Sequence, residues 1–94
     1  MDYNEIIRCR LVFHGRVQGV GFRYVSQFAA NDSGATGWVR NEYDGTVSME
    51  LQGTRSQIER VIIMLENSRY ISISHIDRTS IPVDPKEKRF RIRY

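Results

Sequence analysis

Three glycines fall within seven residues, at Gly15, Gly19 and Gly21, and Arg23 follows two places after the last. The stretch Gly15-Arg16-Val17-Gln18-Gly19-Val20-Gly21-Phe22-Arg23 lies between a strand-like run, Ile6 to His14, and an amphipathic run from Phe22 to about Asn31. A chain built this way passes from strand to helix through a loop whose N–H groups can turn inward and meet a ligand closely. The helix that begins there adds unpaired N–H groups and the positive end of its dipole. An arginine in its first turn supplies a planar fork suited to phosphate or carboxylate. On these nine residues alone two readings stand side by side. One is a small oxyanion cradle, best matched to phosphate; the other is a glycine-rich turn with an ordinary surface arginine.

The flanking elements limit the choice of fold. In the first strand Cys9, Leu11 and Phe13 alternate with Arg8, Arg10, Val12 and His14, giving one apolar and one mostly charged face. In the first helix Phe22, Val25, Phe28 and Ala29 are spaced as one face, and Asn31-Asp32-Ser33-Gly34 supplies the stop. Gly37-Trp38-Val39-Arg40-Asn41 leads into a turn at Asp44-Gly45, and Thr46 to Gln52 leads out, as a hairpin. Within it Val47, Met49 and Leu51 face one way, and Val39 and Asn41 share a parity. Thr54 and Gln57 have capping-box spacing ahead of an apolar stripe at Ile58, Val61, Ile62 and Leu65, which Met64 can widen.

Between Ile71 and Ile81 the isoleucines at 71, 73, 76 and 81 do not share one parity, so a bulge or loop is expected in the fourth strand. Pro82-Val83-Asp84-Pro85 breaks the chain before a short last strand, Arg89 to Tyr94. The order is βαββαβ plus a short strand. That predicts a single α+β domain over residues 1–94: a two-layer sandwich of ferredoxin-like type, with two helices on one face of an antiparallel sheet.

Composition narrows the function. No apolar run approaches the roughly 20 residues needed to cross a bilayer. The first five residues, Met1-Asp2-Tyr3-Asn4-Glu5, are polar and acidic, unlike a secretory signal. The single cysteine, Cys9, can form neither an internal disulfide nor a zinc cluster and reads as a small core residue. These features predict a cytoplasmic protein with no membrane partner. A net charge of +3 suits anionic ligands but is modest for a nucleic-acid binder. The arginines at 89, 91 and 93 alternate with Phe90, Ile92 and Tyr94, as on the solvated face of a strand, with a nucleic-acid footprint as the other reading. RNA-recognition domains share the βαββαβ order but carry aromatic residues on strands one and three. Here the corresponding solvent-facing positions are Arg8, Arg10, Val12, Ser48 and Glu50, so no nucleic-acid partner is expected.

In this topology strands one and two run parallel, joined by a right-handed crossover through the first helix, and both end at the same sheet edge. With strand three between them, Asn41 should stand about 10 Å from the glycine stretch, on the helix-covered face. Arg23, the loop amides and the Asn41 side chain can then enclose one small anion and a water. His14 shares parity with Arg8 and Arg10, which aims it at the opposite face, and no catalytic part is expected of it. Ser26 and Ser33 have no partner base.

The glycine stretch with Arg23, followed by Gly37-Trp38-Val39-Arg40-Asn41 and Asp44-Gly45, closely resembles the acylphosphatase family, and the likeness covers nearly the whole chain. The resemblance implies hydrolysis of the carboxyl–phosphate bond of small acyl phosphates, with no metal or cofactor; a monomer is the default expectation. It also implies that Arg23 and the amides of Gly15, Arg16, Val17, Gln18, Gly19 and Val20 bind the phosphate, while Asn41 orients the attacking water. Ser33 and Ala35 stand where relatives commonly carry leucines, a departure that touches packing. Glu42 places a charge beside the anion site, aimed away by its parity. The Tyr94 carboxylate is expected to approach and restrain Arg23. Two other functions remain on the sequence: a phosphate-binding module without turnover, and a carbamoyl-phosphate-processing module such as the acylphosphatase-like domain of a hydrogenase-maturation protein, which needs further domains.

Overall fold

The computed structural model describes residues 4–94, so the polar start at residues 1–3 lies outside the described residues. The elements are β1 (Ile7–Arg16), α1 (Phe22–Ser33), β2 (Thr36–Asn41), β3 (Val47–Gly53), α2 (Arg55–Glu66), β4 (Ser72–Ile81) and β5 (Phe90–Arg93). They form one five-stranded sheet in the order β4-β1-β3-β2-β5. All neighbours are antiparallel except β2 and β5, which run parallel. Strand three does separate strands one and two, and the short last strand lies along β2 at the sheet edge.

The core follows from the alternation in the strands and the stripes on the helices. Cys9, Leu11, Phe13, Val39, Val47, Met49 and Leu51 project to one face and meet Ile58, Val61, Ile62 and Leu65 of α2. The capping box forms: Thr54 Oγ1 accepts from Gln57 N–H at 3.2 Å, and Gln57 Oε1 accepts from Thr54 N–H at 2.8 Å. The buried stripe of α1 differs from the expected one. Phe22, Ser26, Ala29 and Ala30 are buried, Val25 is half-buried, and Phe28 is 65% exposed. The i, i+4, i+7, i+8 row wins because its small residues let the helix lie close to the sheet. Ser26 joins it at little cost, since its hydroxyl donates to Phe22 O at 2.7 Å.

Two differences bear on function. First, β1 runs past His14 to Arg16. His14 pairs with His75, but Gly15 pairs with Ile73, so Ser74 is the extra residue of a bulge. The bulge resets the parity of β4 and lets Ile73 and Ile76 both pack against the core, which explains the broken pattern of isoleucines. Gly15, at φ +122°, sits so close to β4 that any Cβ would fall against the Ser72 carbonyl oxygen. The first glycine of the stretch thus serves strand pairing.

Second, the open face of the sheet is partly covered. Arg8, expected in solvent, is 6% exposed, and Ser48 and Gln52 are also buried. The segment after β4, legible in sequence only as a break, folds back across them. Glu87 accepts from Arg8 at 2.8 and 3.1 Å, and Gln52 exchanges two hydrogen bonds with the Asp84 backbone.

Candidate active site

The turn from β1 to α1 is held from below. Val17 is fully buried, and Phe22 packs its ring against Phe13 with centroids 4.9 Å apart. It is also held from the side, because Gln18 Nε2 donates to Glu42 O at 2.7 Å and to Thr46 O at 2.9 Å. These bonds fasten the loop to the β2–β3 hairpin. Gly21 caps α1 at φ +81°, a left-handed conformation that other residues adopt only at a cost. Among the described residues no side chain caps the helix there, so its first N–H groups are open to a small anion.

Arg23 is the second residue of α1 and projects beside this turn. Asn41 ends β2 at the same sheet edge. Both line one concavity of about 220 Å³ together with Val17, Gly19, Gly21, Phe22 and Tyr24. Asn41 Oδ1 is buried there and accepts no hydrogen bond from any described residue. A buried carbonyl oxygen in that condition is suited to a donor brought from outside, such as a water. Arg23 makes no ion pair among the described residues. Its guanidinium lies 5.1 Å from the centroid of the Tyr94 ring. The expected restraint by the last residue therefore comes from the ring, which β5 delivers by running parallel beside β2.

The structure thus brings Arg23, Asn41, Val17 and Gly19 to one concavity. Gly15 and Arg16 belong to β1 and pair with β4, and the Gln18 side chain acts as a strap. Val20 packs against the core. Gly21 and Phe22 belong to the stretch read as a cradle but were not named among the phosphate-binding residues, while Tyr24 and the strap were overlooked. The strap had no signal, since a lone glutamine shows no partner until the hairpin is placed. Glu42 is engaged elsewhere: its carboxylate accepts from Arg40 Nε at 2.9 Å, and that hydrogen bond holds its pKa below the ordinary value. His14 Nε2 lies 2.7 Å from Asp77 Oδ2 on the opposite face and does not line the concavity.

A second hollow of about 400 Å³ opens next to the first, lined by Arg40, Asn41, Glu42, Tyr43 and Tyr94. Asn41 stands on the boundary between the two. The smaller hollow holds Arg23 and the start of α1, and the larger opens beside it past Asn41.

Comparison with known proteins places nearly the whole chain in one family. The acylphosphatase family model matches residues 9–92. An acylphosphatase from Geobacillus thermodenitrificans is 42% identical over 88 residues, covering 93% of this chain and 94% of the relative. The crystal structure of acylphosphatase from Bacillus subtilis superposes with a TM-score of 0.85 at 32% identity, covering 94% of this chain and 99% of that one. Full-length HypF contains a similar unit, with TM-score 0.85 and 26% identity over 97% of this chain but only 12% of its own. With the family model spanning nearly all of β1 to β5 and such relatives matched end to end, the chain belongs to the acylphosphatase family.

Proposed function

We propose that this protein, an acylphosphatase by family, hydrolyses small acyl phosphates with Arg23 and the N–H groups at the start of α1 holding the phosphoryl group and Asn41 holding the water. The amides of the Gly15–Val20 stretch contribute where the turn presents them, chiefly from Val17 onward. The observation that carries this reading is the meeting of an unpaired arginine and an unpartnered buried amide oxygen in one small concavity.

The water donates one hydrogen to Asn41 Oδ1, which turns its lone pair toward phosphorus. As its oxygen bonds to phosphorus, the bond to the acyl oxygen breaks, and the carboxylate leaves with the electron pair. The water proton passes to a phosphoryl oxygen of the substrate itself, because an amide is no useful base. Arg23 and the amides balance the charge that gathers on the phosphoryl oxygens, and losing one such donor costs on the order of 3 kcal/mol, about a hundredfold in rate. The acyl group extends past Asn41 into the hollow by Tyr43 and Tyr94. The enzyme works without metal, as a monomer, in the cytoplasm.

The test is phosphate release from acetyl phosphate in the presence of EDTA. The parent is expected to turn over, and Arg23→Ala and Asn41→Ala each to lose about a hundredfold or more. A parent that binds phosphate without turnover would point instead to a non-catalytic module. Turnover that EDTA abolishes would overturn the metal-free mechanism.

A further inference from the structure

Away from the concavity, the open face of the sheet carries a second constellation that acyl phosphate hydrolysis does not use. Trp38, on β2, projects to the face opposite Asn41 and is paired across the sheet with Glu50 on one side and Arg91 on the other. Three guanidinium carbons lie within stacking range of its ring: Arg10 at 5.6 Å, Arg40 at 5.5 Å and Arg93 at 5.0 Å from the centroid. Beside it opens a cleft of about 730 Å³, floored by Trp38 and the Arg8–Glu50 pair and walled by the chain from Asp84 to Arg93.

The charge in this cleft is unbalanced. Of its carboxylates, Glu50 is shared by Arg8 and Arg10, and Glu87 is taken by Arg8. Asp84 accepts from the backbone N–H of Lys86. Lys86, Lys88, Arg89, Arg91 and Arg93 make no ion pair among the described residues. Of the three arginines at the ring, Arg10 reaches Glu50 at 3.4 Å and Arg40 reaches Glu42 at 2.9 Å, whereas Arg93 makes no ion pair among the described residues; a bound polyanion would relieve the repulsion between Arg93 and the neighbouring Arg91, Arg89 and lysines. The size lies within the usual range of a small-molecule site, about 300–1,000 Å³.

We infer that this cleft binds a nucleoside polyphosphate, with the base stacked beside Trp38 and the guanidinium planes, and the phosphates on Arg91, Arg93 and Lys88. An indole with planar cations around it takes a flat heteroaromatic ring, and the flanking cations take the phosphates. A single strand of nucleic acid fits less well. It would track a row of stacking platforms, whereas Trp38 is the one tryptophan of the chain and the neighbouring open-face positions on β1 and β3 are Arg8, Arg10, Ser48 and Glu50. The site is separate from the catalytic concavity: Trp38 and Asn41 are three residues apart on β2, about 10 Å, and face opposite sides.

Because Trp38 is the only indole, its fluorescence reports on this site alone. With the indole excited at a wavelength beyond ATP's own absorption, ATP should quench that emission saturably. Tripolyphosphate should bind at least about tenfold more weakly, the difference a stacked base makes. Arg23→Ala should leave the ATP affinity unchanged, and the double variant Arg91→Ala/Arg93→Ala should lower it about tenfold or more while keeping the fold by circular dichroism. The inference is overturned by no quenching at millimolar ATP, or by tripolyphosphate binding as tightly as ATP. It is equally overturned if Arg23→Ala abolishes ATP binding, which would put the phosphates in the catalytic turn, or if affinity climbs with oligonucleotide length, which would make the face a nucleic-acid surface.

Discussion

Asn41 and Gln18 show how much can depend on one amide. Asn41 leaves an oxygen unpartnered in the concavity, while Gln18 spends its amide N–H groups on two carbonyls of the hairpin that carries Asn41. Gln18→Ala removes both bonds and loosens the turn from β2. Stability should fall by about 1–2 kcal/mol in urea unfolding, and kcat/KM by roughly tenfold through misplacement of the phosphate donors. Restored activity in Gln18→Glu would argue against the strap, since a carboxylate cannot donate to those carbonyls. His14 serves a different purpose. It and His75 both bond to Asp77, and those hydrogen bonds, with His14 first, hold the Asp77 carboxyl below its ordinary pKa. A depressed carboxyl contributes stability above its unfolded-state pKa of about 4 and loses it as pH falls through the lower folded value. Asp77→Asn should therefore destabilise the protein above pH 4 and converge with the parent in stronger acid, as read by Tm against pH. His14→Ala should keep nearly full turnover. That Arg23 and Asn41 would meet was legible because topology alone brings the start of α1 and the end of β2 to one edge. The strap and the ring of Tyr94 were not, since both depend on where side chains from distant segments come to rest.

At the scale of elements, the glycine stretch turns out to divide its labour. Gly15 lets β4 approach β1 at the bulge, and the turn proper begins at Val17. Gly15→Ala should cost more than about 1 kcal/mol, because a Cβ meets backbone and not a movable side chain. The loss should appear as faster amide exchange in β4, with β2 and β3 spared; uniform loosening of the whole sheet would contradict the assignment. The hairpin and α2 were readable in detail, since Asp44-Gly45, the Thr54–Gln57 box and the apolar stripe are local signals. The face of α1 was misjudged at Phe28 because residue size was weighed over the room between helix and sheet. The length of β1 was misjudged because a bulge on its partner leaves no mark on the strand itself.

Across the whole molecule, the two faces of the sheet carry different tasks. The helix side holds the core and, at one edge, the concavity of Arg23 and Asn41; the open side is charged and closed in part by the segment from Asp84 to Arg89. Arg8 fastens that segment through Glu87 and the sheet through Glu50, with its own side chain 5% exposed. Arg8→Ala would leave Glu87 without its cation and Glu50 with Arg10 alone, and about 3 kcal/mol of stability should be lost in denaturant unfolding. Element order and strand order could be read from the sequence, whereas this clasp could not, because the prolines mark a break without saying where the chain goes next. The most direct measurement of the central claim compares Asn41→Ala with the parent in two ways: kcat for acetyl phosphate, and inhibition by inorganic phosphate. If Arg23 and the helix amides hold the phosphoryl group while Asn41 holds the water, kcat falls about a hundredfold or more and the inhibition constant for phosphate stays within about threefold. Equal losses in both would contradict that division, and so would an unchanged kcat.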